Sequence, residues 1–305
     1  MYGMTNTGGN TWDIGTVPYL PAPQRWIKRW RAVTKAQDEL RLDGVKESHT
    51  YGFWPSILPE LAKYAYLTPE TDLDELLRRI VVRDFGEENA DAVLHAFALF
   101  SEGMEHCVST NEDQYGPCRV GPSYPLFFRR WEPIPIGPES KSDPNGEANP
   151  VYRYNLDLTE KLEYEAREYG TMARLYDAGC AELEALLSRS ERCAEALQEL
   201  YGVARFIGNT ARTTHHLKRW HLLKGKLGVY VDTQQIWCGG RKNMPDAESA
   251  KKPLVPVEDP RPVVLELVDI AREELENAER TLPLVERNSR LGYTQELDYC
   301  ASPEQ

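Results

Sequence analysis

Three long stretches in the second half of the chain repeat apolar residues at steps of three and four, a period that a helix with one buried face satisfies. Residues 155–189 carry Leu162, Ala166, Tyr169, Met172, Tyr176, Cys180, Leu183 and Leu187 in that rhythm. Residues 192–224 carry Leu197, Tyr201, Ala204, Gly208 and Ala211, and 261–282 carry Val264, Val268, Ala271, Leu275, Ala278 and Leu282. Helices of this length expose too much apolar surface to stand alone, so the spacing predicts an antiparallel three-helix bundle over 155–305. The connection at 225–260 contains GGRKNMPDAESAKKP and reads as an exposed loop. No solenoid-type repeat is present.

Upstream of the bundle the pattern is again helical, over 57–67, 72–86 and 88–108, with Thr71 or Asp72 as N-cap and Gly86 as C-terminal glycine of the middle helix. Residues 109–154, rich in proline and glycine, read as a long surface excursion. Near the N-terminus, Trp26, Trp30, Val33, Ala36 and Leu40 mark a helix over 23–41. A glycine-bearing strand precedes it and a short strand at 42–48, centred on Val45, follows. Such a βαβ unit needs further strands and covering helices, which leads to the expectation that more of a sheet lies upstream. The predicted fold class is mainly α, with a partial (β/α) barrel edge over 1–56, a helical domain with a long loop over 57–154 and the bundle over 155–305.

Composition removes several functions. With 36 Lys and Arg against 48 Asp and Glu, the formal charge of −12 opposes binding to a phosphate backbone or an anionic membrane, so neither nucleic acid nor membrane is an expected partner. The six cysteines are dispersed without a C-x-x-C pair, and the opening MYGMTNTGGNTWD has no apolar export segment, which together predict a cytoplasmic protein. His215, His216 and His221 are not spaced as a zinc motif, and no phosphate loop, dinucleotide fingerprint or nucleophile elbow occurs. No metal and no cofactor is expected. The acidic runs Glu160–Glu168 and Glu273–Glu279 read as solvated helix faces.

Three clusters have chemistry suited to a sugar. In TNTGGNTWD, Trp12 offers an apolar platform for a sugar ring while Asn10 and Asp13 offer hydrogen bonds to its hydroxyls; a turn with one buried Trp is the plainer account. In KESHTYGFW, Glu47, His49, Tyr51 and Trp54 follow the second short strand, where a barrel would carry its active site. Glu47 is the candidate catalytic carboxylate, against a plain salt bridge beside Lys46. In STNEDQYGPCRVGPSYP, Tyr115 and Arg119 are candidates to rim a pocket, Arg119 with a fork that matches a sugar carboxylate; a solvated acidic turn is the alternative.

Taken together, GGNTWDIGTVPYLPAPQRWIKRW, LDGVKESHTYGFWPSILPELAKYAYLTPETDLDELLRRIVVRDFG and DQYGPCRVGPSYP resemble the end of the barrel and the helical domain after it in bacterial glycoside hydrolases, α-glucuronidase-like first and β-hexosaminidase-like second. The likeness spans residues 1 to 130. It implies a carbohydrate substrate, with this chain supplying sugar-binding residues to an active site whose remaining barrel lies upstream and holds the main catalytic carboxylates. It also implies that the chain alone is inactive. A helical binding or oligomerisation module, acting as a homo-oligomer, is the competing expectation.

Overall fold

The computed structural model describes residues 2–4, 14–46, 55–108, 116–122, 124–126, 159–189, 193–228, 257–294 and 298–299. By spatial contact the chain divides into two units, one of Met1–Cys107 with Thr171–Gly208 and one of Val108–Gly170 with Asn209–Gln305. The described residues are mainly helical.

In the first unit, strand β1 (Tyr2–Met4) pairs in parallel with β2 (Gly44–Lys46), Gly3 opposite Val45, and helix α1 (Pro23–Leu40) connects them. Pro23 opens α1 at the position where a missing N–H costs nothing, and Trp26, Ile27 and Trp30 form its buried face. The sheet is two strands of three residues, so a partial barrel edge is not supported: among the described residues no third strand extends it.

Helices α2 (Ile57–Leu67), α3 (Leu73–Phe85) and α4 (Glu87–Glu105) fall where the periodicity places them. The Asp72 carboxylate accepts from the backbone N–H groups of Asp74 and Glu75 at 3.0 and 3.2 Å and so satisfies two donors that α3 leaves open. Gly86, at φ 87°, separates α3 from α4 in a conformation that side chains rarely adopt. Arg25 ties α1 to α4 by donating to the Met104 carbonyl at 2.9 Å, and Ser101 donates to Gln24 at 2.9 Å.

Helices α6 (Thr159–Leu187) and α7 (Ala194–Lys226) run antiparallel. In the first unit Arg205 donates to Asp177 at 2.7 Å, and Tyr201 donates to Glu184 at 2.5 Å. Phe100 of α4 stacks on Tyr176 of α6 with centroids 4.9 Å apart. Gly103 and Gly179 permit that approach, since a Cβ on Gly103 would lie 2.9 Å from the Tyr176 ring and one on Gly179 would overlap Phe100.

The second unit holds the short helix α5 (Pro117–Val120), the first part of α6, the second part of α7, helix α8 (Arg261–Arg287) and a two-residue antiparallel pairing of β3 (Tyr293–Thr294) with β4 (Asp298–Tyr299). Helix α8 lies antiparallel to α7, its Thr281 beside Asn209, Glu274 beside Thr213 and Glu266 beside Arg219. Its orientation corrects the sequence expectation. Val264, Val268, Ala271, Leu275 and Leu282 face solvent, and the buried residues are Val263, Leu267, Ile270, Glu274, Asn277, Thr281, Leu284 and Val285. Part of the cause lies in α7, which presents Asn209, Thr213 and His216 to α8; these buried groups demand polar partners, and Glu274, Asn277 and Thr281 supply them in the middle of an inward face whose ends, Val263, Leu267 and Ile270 on one side and Leu284 and Val285 on the other, are apolar.

The glycine contact is testable by urea unfolding. Gly179→Ala is expected to destabilise the protein by about 1–3 kcal/mol, the usual cost of overpacking a filled interior. An unchanged midpoint would show that the α4–α6 contact has slack.

Candidate functional site

Of the nine residues that the sequence nominates for a sugar site, Arg119 alone lies within the described residues. Asn10, Trp12, Asp13, Glu47, His49, Tyr51, Trp54 and Tyr115 lie outside them.

Arg119 sits on α5 and is 4% exposed. The surrounding segment departs from the surface excursion that its prolines and glycines suggest, because Gly116–Pro122 and Tyr124 are buried. Local backbone bonds make that burial affordable: Val120 donates to the Gly116 carbonyl at 3.0 Å, Gly121 to that of Pro117 at 2.7 Å and Tyr124 to that of Gly121 at 3.1 Å.

Next to Arg119, the Cys118 sulfur lies 3.8 Å from the hydroxyl of Tyr169 on α6, and that hydroxyl donates to the Val108 carbonyl at 2.9 Å. The Lys218 ammonium of α7 stands 5.8 Å from the centroid of the same ring and donates to Glu165 at 2.5 Å. The side chains of this ion pair are 1% and 2% exposed. Farther along the same face of α7 are His221 and Lys224, both buried. Burial, with the charges of Lys224 and Lys218 beside it, pushes the His221 imidazole well below its ordinary 6.5, so that ring is neutral at pH 7. Burial pushes the Lys224 ammonium down to about 8.

On the side of α7 that meets α8, Trp220 and Leu223 pack with Val263, Leu267 and Ile270, and hydrogen bonds take over from that apolar packing toward Asn209. The His216 ring nitrogens lie 2.6 Å from Glu274 and 2.9 Å from Glu273. Thr213 donates to Glu274 at 2.7 Å, Asn277 donates to the Asn209 carbonyl at 2.9 Å and to Thr213 at 3.0 Å, and Asn209 donates to Thr281 at 2.8 Å. Glu165 and Glu274 therefore depart from the expectation of solvated acidic faces: each is held by a partner on α7.

Sequence reasoning set His216 and His221 aside as no zinc motif, read Glu165 and Glu274 as solvated, and passed over Thr213, Lys218, Lys224 and Asn277. One signal was available. The run NTARTTHHLK puts polar and β-branched residues on every face in the middle of a 33-residue helix, where a solvent-facing surface alone would favour Glu, Lys or Ala.

Among the described residues, no group of three or more His, Cys, Asp or Glu side chains could hold a metal ion, and no helix is long and apolar enough to cross a membrane. No family model matches the chain, and neither a curated protein nor a solved structure matches it.

Two measurements probe this interior. The folded chain releases the Lys224 proton at about pH 8 and the unfolded chain near 10.5, so between those values the unfolded state binds more protons and stability gains a contribution as pH rises. Below pH 8 both states are protonated and the burial penalty is constant. Unfolding curves of the protein and of Lys224→Met are expected to differ by an amount that changes across pH 8 to 10.5; a constant difference contradicts the depressed lysine. For the buried pair, Glu165→Leu alone is expected to cost about 3–5 kcal/mol by stranding Lys218, and Lys218→Met alone a similar amount by stranding Glu165, while the two combined cost less than their sum. Additive losses in that double-mutant cycle would show that the two charges do not depend on each other.

Proposed function

We propose that this chain supplies sugar-binding residues to the active site of a carbohydrate-active glycoside hydrolase, with a sugar carboxylate as the group recognised through Arg119. The observation that carries the reading is the burial of Arg119 on α5, in a segment whose motif resembles the loop near the active site of such hydrolases. A guanidinium held out of water binds a carboxylate far more strongly than an exposed one, because both groups are relieved of competition from solvent and the planar fork makes two parallel bonds. Trp12 and Trp54 would stack on the apolar faces of the ring, and Asn10, Asp13, His49, Tyr51 and Tyr115 would bond its hydroxyls. Glu47 is the candidate catalytic carboxylate within this chain. Glycoside cleavage needs a second carboxylate to complete an acid–base or acid–nucleophile pair.

A second reading, a helical binding or oligomerisation module, is favoured by one observation: α8 turns apolar residues outward along most of its length.

The sugar reading is tested by titrating the chain with D-glucuronic acid and with D-glucose while following tryptophan fluorescence. Saturable binding of the uronic acid is expected, with glucose at least about tenfold weaker for want of the carboxylate bond. Arg119→Lys should abolish that preference, since a point-like ammonium cannot make the two parallel bonds. No saturable response to either sugar, or an equal response to both that ignores Arg119→Lys, overturns the proposal.

A further inference from the structure

The His216 ring of α7 stands between two carboxylates of α8. Its Nδ1 lies 2.6 Å from Glu274 Oε1 and its Nε2 lies 2.9 Å from Glu273 Oε2. The ring and Glu274 are withdrawn from solvent, with side chains 6% and 10% exposed, whereas Glu273 is 56% exposed and reaches the ring from the surface. The second oxygen of Glu274 is engaged as well: the Thr213 hydroxyl donates to it at 2.7 Å, and Thr213 accepts in turn from Asn277 at 3.0 Å. Glu274 is thus an acceptor at both oxygens.

An ionised carboxylate has no proton to give, so each of its contacts with a ring nitrogen is attractive only when that nitrogen carries a proton. A neutral imidazole has a single N–H. Whichever nitrogen held it, the other would aim its lone pair at a carboxylate oxygen 2.6 or 2.9 Å away, in an interior that screens such repulsion poorly. Both contacts therefore need an N–H on both nitrogens.

We infer that His216 is a proton-operated clamp between α7 and α8: with two N–H groups the ring holds Glu273 and Glu274 together, and loss of one proton releases Glu273 while the bond to Glu274 remains. The proton leaves from Nε2, because buried Glu274 would be left short of a donor, whereas water takes the place of the ring at exposed Glu273. Helix α8 stays docked after that loss, since the bonds from Asn209 to Thr281 and from Asn277 to the Asn209 carbonyl join groups that do not titrate. Histidine exchanges such a proton between about pH 5 and 8, so the tie to Glu273 adds stability on the acid side and is lost as pH rises through that range. This sign is opposite to that of His221 and Lys224.

Among the described residues, the charged and titratable groups around the ring come from three helices. Helix α8 contributes Glu273 and Glu274. On α7 the His215 ring lies with its centroid 5.3 Å away and its Nδ1 2.6 Å from the Ala166 carbonyl of α6, and Arg212 and Arg219 are a turn away on either side, Arg219 donating to Glu266 at 2.5 Å. Glu165 of α6 is paired with Lys218, which α7 places on another of its faces, two residues from His216. The inference does not depend on the sugar-binding reading.

The experiment compares urea unfolding of the full chain and of Glu273→Ala at about pH 5.5 and about pH 8.5, on either side of most of histidine's usual range. The substitution is expected to raise the unfolding equilibrium constant about two- to fivefold at the acid pH, the usual size of a partly exposed ion pair, and to leave it unchanged at the alkaline one. Contributions from His221 and Lys224 cancel in that difference, and the fold is kept because Glu273 is at the surface. The ring is read directly in the parent by the ¹⁵N shifts of His216, with both nitrogens protonated at the acid pH and Nδ1 alone at the alkaline one. A penalty for Glu273→Ala that does not fall from acid to alkaline pH, or that is absent at both, overturns the clamp. So does a His216 ring with a single proton at the acid pH, or one that keeps its alkaline proton on Nε2.

Discussion

Glu165 and Lys218 form an ion pair almost wholly out of water, and the second unit is organised around the need to keep it intact. Each ion alone would carry a desolvation cost of several kcal/mol, so α6 and α7 can pack only in the register that brings the two together. Sliding α7 by one turn along α6 would strand both charges and also part His215 from the Ala166 carbonyl, 2.6 Å away. The pair thus acts less as a source of stability than as a penalty on every other alignment. Tyr169 extends that control to α5, since its ring lies beneath the Lys218 ammonium and its hydroxyl group lies beside Cys118. Arg119 is the next residue and is buried as well.

The same reasoning explains α8. A helix that leaves several apolar residues outward while burying Glu274, Asn277 and Thr281 is unfavourable unless those buried polar groups meet groups that cannot be satisfied otherwise. Asn209, Thr213 and His216 are such groups, and Asn277, Glu274 and Thr281 answer them in a connected set of bonds. Removing one member would leave its partners buried without their bonds, at a cost above that of the bond itself. The polar interface therefore fixes the rotation of α8 about its axis, and the apolar stripe is outward as a consequence.

These two features mark where the sequence could be read and where it could not. Helices α1 to α4 were legible because Trp26, Trp30, Leu76, Leu77 and Ile80 face inward and the boundaries carry local signals, the Asp72 cap and the Gly86 turn. The lengths of α6 and α7 were legible for the same reason. The rotation of α8 was not, because two adjacent stripes, one through Val263, Leu267, Ile270 and Leu284 and one through Val264, Val268, Leu275 and Leu282, both repeat at helical spacing, and the polar groups of α7 that select the first are distant in sequence. The burial of Gly116–Pro122 was legible only in part: prolines and glycines mark a turn, and the aromatic residues nearby, Tyr124 among them, are the one local sign that this turn packs instead of lying in solvent. Of the nine residues nominated for a sugar site, Arg119 alone lies within the described residues, and the neighbour of its segment on α6, Tyr169 beside Cys118, is some fifty positions away.

The basic side chains along α7 add a constraint in pH. His221 lies between Lys218 and Lys224, and all three are buried, so burial and mutual repulsion both favour loss of protons. The neutral His221 imidazole lowers the repulsion that a third cation would create, and Glu165 offsets one of the remaining two. Because the His221 value is depressed in the folded chain, its contribution to stability is present above the unfolded value of 6.5 and is lost as pH falls below it. Lys224, also depressed, adds stability only as pH rises past about 8. Both dependences have one sign, so this face of α7 favours the alkaline side of neutrality.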